Sequence, residues 1–428
     1  MKIAIVGGGA AGMMCAATLA EIGSGAEIFL IEKNAILGNK VIISGGGRCN
    51  VTTGIQDVKE VLKKYPRGKN LLKFALYNFP PKDVYEWFEE HGVPLKTEAD
   101  LRVFPQSNNG RDVVKVFENI FRESGLPTGQ AGVQILLKSK IDRVKKLKAG
   151  TKDEQFELLF NDGKRLVVDK VVITTGGQAY KKTGSTGDGY YFAETLGHTI
   201  TPLAPSLNAF ILKEKWVEKM AGVSFKKAVM KIMKKNFKPA GRQASFEGAF
   251  LFTHNGVTGP AVFALSSMAA FELADVTKPV KLAIDFLPEF NYQELGEKIR
   301  KALAENPKKT FVNTLDFFIP KSLAQLICDE VGIKTGKVNV EVAKAEINKA
   351  VELLKNMTMT VVGRAAGEEF VTAGGVNSKE INPKTMESKI CPGLFFAGEI
   401  LDIDGFTGGF NLQSAWCTGR LAGRSIGG

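Results

Sequence analysis

The sequence predicts an α/β fold in which a parallel-sheet domain is interrupted by an inserted β-barrel-like domain and a small helical subdomain. Three observations predict it. A short apolar strand, Lys2 to Val6, runs into the turn Gly7-Gly8-Gly9-Ala10-Ala11-Gly12 and then into a helical pattern through Ile22. Apolar strands ending in glycines recur late in the chain, at 171–177 and 394–399. Between them the pattern changes to short strands with turn residues over 203–286, then to helical spacing over 292–356.

A chain of 428 residues with 44% hydrophobic side chains buries a large core and exceeds most single domains, so two or three domains are expected. That composition excludes a disordered or fibrous protein. The net charge of +12 suits an anionic ligand, a nucleic-acid surface or an acidic membrane face, and does not choose among them. The opening apolar stretch is broken by glycines and then by Glu21, so it reads as neither a secretory signal nor a membrane span, and a cytoplasmic location is expected. Cys15, Cys49, Cys328, Cys391 and Cys417 are odd in number and lack a C-x-x-C, which argues against a disulfide scaffold, a zinc knuckle or a thioredoxin-like pair. His91 and His198 have no metal-like spacing with carboxylates, and no metal is expected.

The first turn is a complete dinucleotide fingerprint in context. Gly7 permits the tight turn, Gly9 lets backbone approach a pyrophosphate, and Gly12 lets helix pack on strand. The helix start at Ala10 and Ala11 supplies amide donors and positive dipole. A second strand, Ala26 to Ile31, ends in Glu32, 20 residues after Gly12, where a carboxylate accepts from both ribose hydroxyls and disfavours a 2′-phosphate. Lys33 follows it as a further contact. This is a Rossmann-like unit.

Three further constellations point to FAD rather than a nicotinamide dinucleotide as the resident cofactor. Gly45-Gly46-Gly47-Arg48-Cys49-Asn50, preceded by Lys40 and Ser44, places three glycines where backbone must pass a flat ligand or take positive φ. Arg48 is a candidate phosphate partner, and Ser44 and Asn50 are candidates to orient polar ring edges. Val171 to Thr174 reads as a strand running into Thr175-Gly176-Gly177, followed by Thr183-Gly184-Ser185-Thr186-Gly187-Asp188-Gly189, whose hydroxyls either cap the next helix or touch ligand. Leu394 to Ala397 reads as a strand ending in Gly398-Glu399, and Gly408-Gly409-Phe410-Asn411-Leu412 as the mouth of a final helix facing the flavin pyrimidine. The strand near Val133, which follows a crossover helix from Arg111 to Gly125, adds a further candidate contact.

Motifs near both ends imply a cofactor domain of two segments, 1–192 and 358–428. Between them lie a β-barrel-like domain at 193–290 and a helical subdomain at 291–357, expected to cap the flavin crevice. Lys226, Lys227, Lys231, Lys234, Lys235 and Lys238 read as a solvated strand or hairpin face, with no aromatic RNA-binding signature beside them.

These motifs, with Phe252-Thr253-His254-Asn255-Gly256-Val257-Thr258-Gly259-Pro260 and the stretch from Thr385 through Gln413, resemble the BaiN-like, aminoacetone-oxidase-like family of bacterial NAD(P)/FAD-dependent oxidoreductases. The resemblance covers nearly the whole chain. It implies FAD, a glutathione-reductase-type cofactor domain, an inserted barrel and a helical subdomain. Family labels include bile-acid-related reduction and aminoacetone oxidation, so it implies no single substrate. Lys181 stands where the family has proline, and Thr258 where serine is common.

The expected chemistry is hydride transfer from a nicotinamide or organic donor to flavin, then reduction of a small organic acceptor or dioxygen. Arg48, Cys49 and His254 are the catalytic candidates. Arg48 beside Cys49 would favour a thiolate, against the alternative of a small cysteine packed under the loop. His254, beside a turn, would transfer a proton or be an ordered structural histidine. The inserted region lacks a second fingerprint, so NAD(P)H is expected to bind transiently over the ring and small molecules to enter between the domains. An FAD enzyme acting on RNA and a low-turnover flavin-bound structural or sensory protein are the alternatives. The sequence assigns no oligomeric state.

Overall fold

The computed structural model describes residues 1–124, 132–147, 155–233, 244–272, 275–365, 367 and 370–428. The chain divides into two compact units, Met1–Ser206 with Phe370–Gly428, and Leu207–Glu369. The second is an insertion in the first. The breaks fall at 206/207 and 369/370, 14 and 12 residues beyond the expected 192/193 and 357/358, so 193–206 belongs to the first unit and 358–369 to the inserted one.

The first unit is built on a five-stranded parallel sheet in the order Leu394–Phe396, Lys170–Ile173, Lys2–Val6, Glu27–Ile31, Val133–Leu136. Its strands are near-continuous apolar runs because a parallel sheet is covered on both faces. Ile3, Ala4, Ile5, Val171, Val172 and Ile173 are fully buried. Strand order turns about Lys2–Val6, which makes the switch point where open α/β sheets hold ligands at the strands' carboxyl ends.

Helix Ala10–Glu21 packs against the last helix, Phe410–Gly427, through small residues: a Cβ on Gly419 would meet the Ala11 carbonyl oxygen at 2.3 Å. Gly110–Ser124 forms the crossover helix, with Gly125 outside the described residues. A two-stranded antiparallel sheet, Ala204–Ser206 with Val371–Ala373, and two three-stranded ones complete the unit. Of the latter, one joins Thr52–Thr53, Arg102–Pro105 and Leu95–Thr97, the other Ile141–Lys146, Phe156–Phe160 and Arg165–Val168. None of the three is in the sequence reading.

The inserted unit is a closed six-stranded antiparallel barrel in the order Phe210–Leu212, Gly256–Thr258, Ser245–Thr253, Ser224–Met233, Val280–Asp285, Met357–Arg364. Strand Ser224–Met233 shows the two-residue period in Ala228, Met230 and Ile232, which are buried; a register shift between Phe225 and Ala228 leaves both Lys226 and Lys227 exposed. Lys234, Lys235 and Lys238 lie outside the described residues.

The closing strand corrects one boundary. Met357–Arg364 pairs with Val280–Asp285 and Phe210–Leu212, so these residues belong to the barrel: Met357 is not part of the helical subdomain, and 358–364 are not part of the second cofactor segment. Helices Tyr292–Glu305, Phe311–Leu315, Lys321–Val331 and Lys344–Asn356 lie in sequence between the last two barrel strands and share the barrel's apolar core. Val340 falls in a short 3₁₀ turn before the last of them, which starts where Glu346 accepts the Ala343 N–H at 2.7 Å. No helix among the described residues is long and apolar enough to cross a membrane.

Candidate cofactor site

The carboxyl ends of four parallel strands bring together most of the residues singled out in the sequence. After Lys2–Val6, the Gly7 amide bonds the Ile31 carbonyl at 2.8 Å, and Gly38 N–H reaches the Gly8 carbonyl at 2.9 Å. A Cβ on Gly12 would lie 1.9 Å from the Gly7 oxygen, so Gly12 is needed for packing. A Cβ on Gly9 would meet no protein atom within 4 Å, which leaves that face of the loop open for a ligand's close approach.

Glu32 is 9% exposed, and its carboxylate braces the turn. Oε2 accepts the Gly8 N–H at 2.8 Å; Oε1 accepts the Asn34 N–H at 2.8 Å and its side-chain amide at 2.7 Å. Oε1 is filled by its two bonds to Asn34, whereas Oε2 keeps acceptor capacity for a ribose hydroxyl. Charge reversal at Glu32 would thus disturb the turn as well as any ribose contact.

Lys33 is not held out for a phosphate: its ammonium pairs with Asp188 at 2.6 Å and donates to the Thr186 hydroxyl. With Asn34 donating to the Thr183 carbonyl at 3.0 Å, the 183–189 segment buttresses the end of the second strand. Its hydroxyls do not cap the following helix, whose N-cap is Gly187 in the left-handed region.

A second group joins Lys40, Glu399 and the end of strand Lys170–Ile173. Lys40 Nζ lies 2.8 Å from Glu399 Oε2, and Oε1 accepts the Thr372 N–H at 3.0 Å. The Thr372 hydroxyl in turn accepts the Gln178 and Ala179 N–H groups at 2.9 and 3.2 Å. Gly177 fits because a Cβ there would stand 2.5 Å from that hydroxyl. Thr372 is absent from the sequence reading. Thr175 Oγ1 is buried with no hydrogen-bond partner, and Gly176 and Gly398 take left-handed φ of 72° and 79°.

The Gly45–Gly47 loop is a tight turn in which Gly46 and Gly47 take φ of 73° and 86° with no atom within 4 Å of a Cβ. Ser44 donates to the Val41 carbonyl at 2.8 Å, and Asn50 Oδ1 accepts the Val103 N–H at 3.2 Å. Arg48 pairs with Glu98 at 2.7 Å, and its guanidinium lies over the Phe104 ring at 3.8 Å. The thiolate expectation for Cys49 is corrected: Cys49 is fully buried, and burial pushes its thiol up to about 12. The low dielectric around the sulfur disfavours charge, and Arg48 is engaged by Glu98.

The last helix starts at Phe410 behind Gly409, whose Cβ would strike the Thr52 carbonyl at 2.2 Å. Asn411 clamps Gly405 from both sides, Oδ1 accepting its N–H at 2.8 Å and Nδ2 donating to its carbonyl at 2.9 Å. Tyr65 donates to the Phe410 carbonyl at 2.7 Å. The helix's first amides, from Phe410 through Leu412, are therefore held in place as free donors at a positive dipole end.

One predicted residue of this unit is not brought to this group. Val133 starts the edge strand opposite Ile28, whereas it is Leu136, at the other end of that strand, whose carbonyl accepts the Glu32 N–H at 2.8 Å. His254 is exposed in the turn joining Ser245–Thr253 to Gly256–Thr258, in the inserted unit.

A parallel sheet with a glycine turn and ribose-directed acid at its switch point, a second crevice strand and a clamped helix start defines a flavoprotein oxidoreductase of the FAD-binding Rossmann type. The chain belongs to the family described as HI0933-like protein Rossmann domain, whose model matches residues 1–425. It is 31% identical over 99% of its length to the 3-dehydro-bile acid delta(4,6)-reductase of Clostridium scindens, covering 98% of that protein. It is 30% identical over 99% of its length to the ribosomal RNA dihydrouridine synthase of Haemophilus influenzae, covering 97% of it. Among solved structures, the 3-ketosteroid delta1-dehydrogenase of Sterolibacterium denitrificans shares the fold at a TM-score of 0.52 and 13% identity, with 99% of each chain covered.

Proposed function

We propose that this protein is an FAD-dependent reductase that moves a hydride from NAD(P)H onto a C=C bond conjugated to a carbonyl, in the manner of the BaiN-like branch of its family. The observation that carries it is chemical. The names of two relatives, alike over nearly the whole chain, describe different substrates but one transformation: a 3-oxo steroid reduced at the 4,6 positions and a uridine ring reduced to dihydrouridine.

The residues present fit FAD. The open face at Gly9 and the amides of Ala10 and Ala11 would take the pyrophosphate, and Glu32 the ribose. Lys40 and Glu399 would border the polar middle of the cofactor, the Gly46–Gly47 turn would pass its flat ring, and the Phe410–Leu412 amides would stabilise negative charge at the pyrimidine edge. When bound, the flavin supplies hydride transfer and two-electron storage. The inserted unit is an antiparallel barrel with helices and has no parallel sheet among its described residues, which favours a nicotinamide that binds transiently.

Anaerobic stopped-flow mixing of the holoenzyme with NADH and NADPH, then with cyclic enones, tests the reading. Rapid flavin bleaching followed by reoxidation with formation of the saturated ketone is expected. Bleaching that no enone or uridine reverses, while dioxygen does, would sink it in favour of an oxidase.

A second reading, RNA uridine as the substrate, is favoured by the net charge of +12 and by Lys226, Lys227 and Lys231 on one barrel strand. Binding to ribosomal RNA fragments should then weaken linearly in log salt, with a slope set by the phosphates neutralised. No salt-sensitive complex at submicromolar protein would return the substrate to the small-molecule class.

A further inference from the structure

The connection from strand Leu394–Phe396 to the last helix carries three carboxyls, Glu399, Asp402 and Asp404, at the carboxyl edge of the sheet. Two have a cation each. Lys40 pairs with Glu399 at 2.8 Å. Arg67 grips both oxygens of Asp404, which is fully buried and also accepts the Ser206 hydroxyl at 2.7 Å.

Asp402 has no ion pair among the described residues, and its Oδ1 is buried without a hydrogen-bond partner. From helix Asp188–Thr195 comes a second unpartnered group. Tyr190 is 6% exposed, and its buried hydroxyl has the Thr372 side chain beside it but no well-formed hydrogen bond. Burial, then the nearby Glu399 and Asp402 carboxyls, push this phenol well above its ordinary value, so it stays a donor.

We propose that Asp402 is the general acid of the crevice, a carboxyl that keeps its proton and gives it to the substrate, with the Tyr190 hydroxyl as its neighbouring donor. The inference rests on the reductase reading and deepens it. A buried carboxylate oxygen without a donor is costly, and the neutral acid relieves most of that cost. The groups facing Asp402 divide: burial and Asp404 favour the proton, while Arg67, the Thr201 hydroxyl and the Gly374 backbone oppose it, and the net direction is upward.

The step balances. The substrate's β-carbon takes the hydride, its α-carbon takes the proton from Asp402, and the π bond between them becomes two C–H bonds. NAD(P)H is the species oxidised, and Asp402 regains its proton from water.

Two measurements on the holoenzyme test this. Infrared spectra at neutral pH should show the C=O band of a protonated carboxyl, shifted by aspartate isotope labelling and lost in Asp402→Asn. In Asp402→Glu the band should follow a glutamate label instead. In stopped flow, Asp402→Asn should leave flavin reduction by NAD(P)H within about twofold of the parent and slow reoxidation by 2-cyclohexenone or a uridine oligonucleotide by about 100-fold or more. The fall of that reoxidation rate with rising pH should vanish with it.

A parent without the band, or a variant with unchanged reoxidation and pH profile, overturns the proposal. If no acceptor reoxidises even the parent, the reductase reading fails, whereas the infrared band separately decides whether Asp402 carries the proton.

Discussion

Gly9 and Gly12 stand three residues apart and answer to different constraints. A side chain at Gly12 has nowhere to go, so Gly12→Ala should cost about 1–3 kcal/mol of stability with or without cofactor. A methyl at Gly9 meets only open space, so Gly9→Ala should stay within about 0.5 kcal/mol of the parent while FAD affinity falls about tenfold. Urea titration and flavin fluorescence separate the two, and an unstable Gly9→Ala with full affinity would reverse the assignment. Two histidines make a similar contrast. A hydrogen bond donated to the Glu21 carboxylate raises His91, so its contribution is fully present below the ordinary 6.5 and is lost as pH rises through its folded value. Burial, against the pull of Glu380, lowers His198, which bonds Glu380 at 3.0 Å and Ser388 at 2.8 Å; its contribution is present above 6.5 and lost as pH falls. Stability curves of His91→Gln and His198→Gln should therefore diverge from the parent at opposite ends of the range between about pH 5 and 8, and parallel curves would refute this.

Elements were most legible where one period ran unbroken. The opening strand, the fingerprint helix and helix Tyr292–Glu305 follow from apolar spacing and caps alone. Strand Met357–Arg364 escaped because it begins on the residue after a helix, although apolar Met357, Met359 and Val361 alternate with polar Thr358 and Thr360. The site was legible where glycine chemistry marked it, at Gly9, Gly12 and Gly177. It was illegible where a remote partner decides the role: nothing local to Arg48 announces Glu98, and nothing in the Asp402 segment announces Tyr190. The barrel closure carries its own prediction. A fragment of residues 207–357 lacks most of the closing strand and should stay unfolded by circular dichroism, whereas 207–369 should fold cooperatively; equal folding of both would contradict the closed barrel. Within that unit, Lys355 Nζ bonds Asp285 at 2.6 Å and the Leu287 carbonyl at 2.8 Å, and it also bonds the Phe290 carbonyl, tying the last of the helices to the turn after strand Val280–Asp285. Lys355→Met leaves Asp285 without that partner and should cost about 3–5 kcal/mol by denaturant unfolding. A change under about 1 kcal/mol would show the clamp to be dispensable.

At the scale of the whole molecule, the proposed FAD contacts come from both ends of the chain and from one compact unit. Saturating FAD at about 100 times its dissociation constant should stabilise that unit by about 2.7 kcal/mol, while the 207–369 fragment alone should not respond. Calorimetry of the two would check it, and an equal rise in the fragment would move the cofactor site. The insertion between strands Lys170–Ile173 and Leu394–Phe396 also sets a timetable. On the ribosome, residues 207–369 are complete before the sheet's outer strand and the helix that covers Ala10–Glu21 have been made. The guest can therefore finish folding while its host still exposes the apolar face of Ala11, Cys15 and Leu19. Shielding that face during synthesis falls to chaperones until the final turn of the chain arrives.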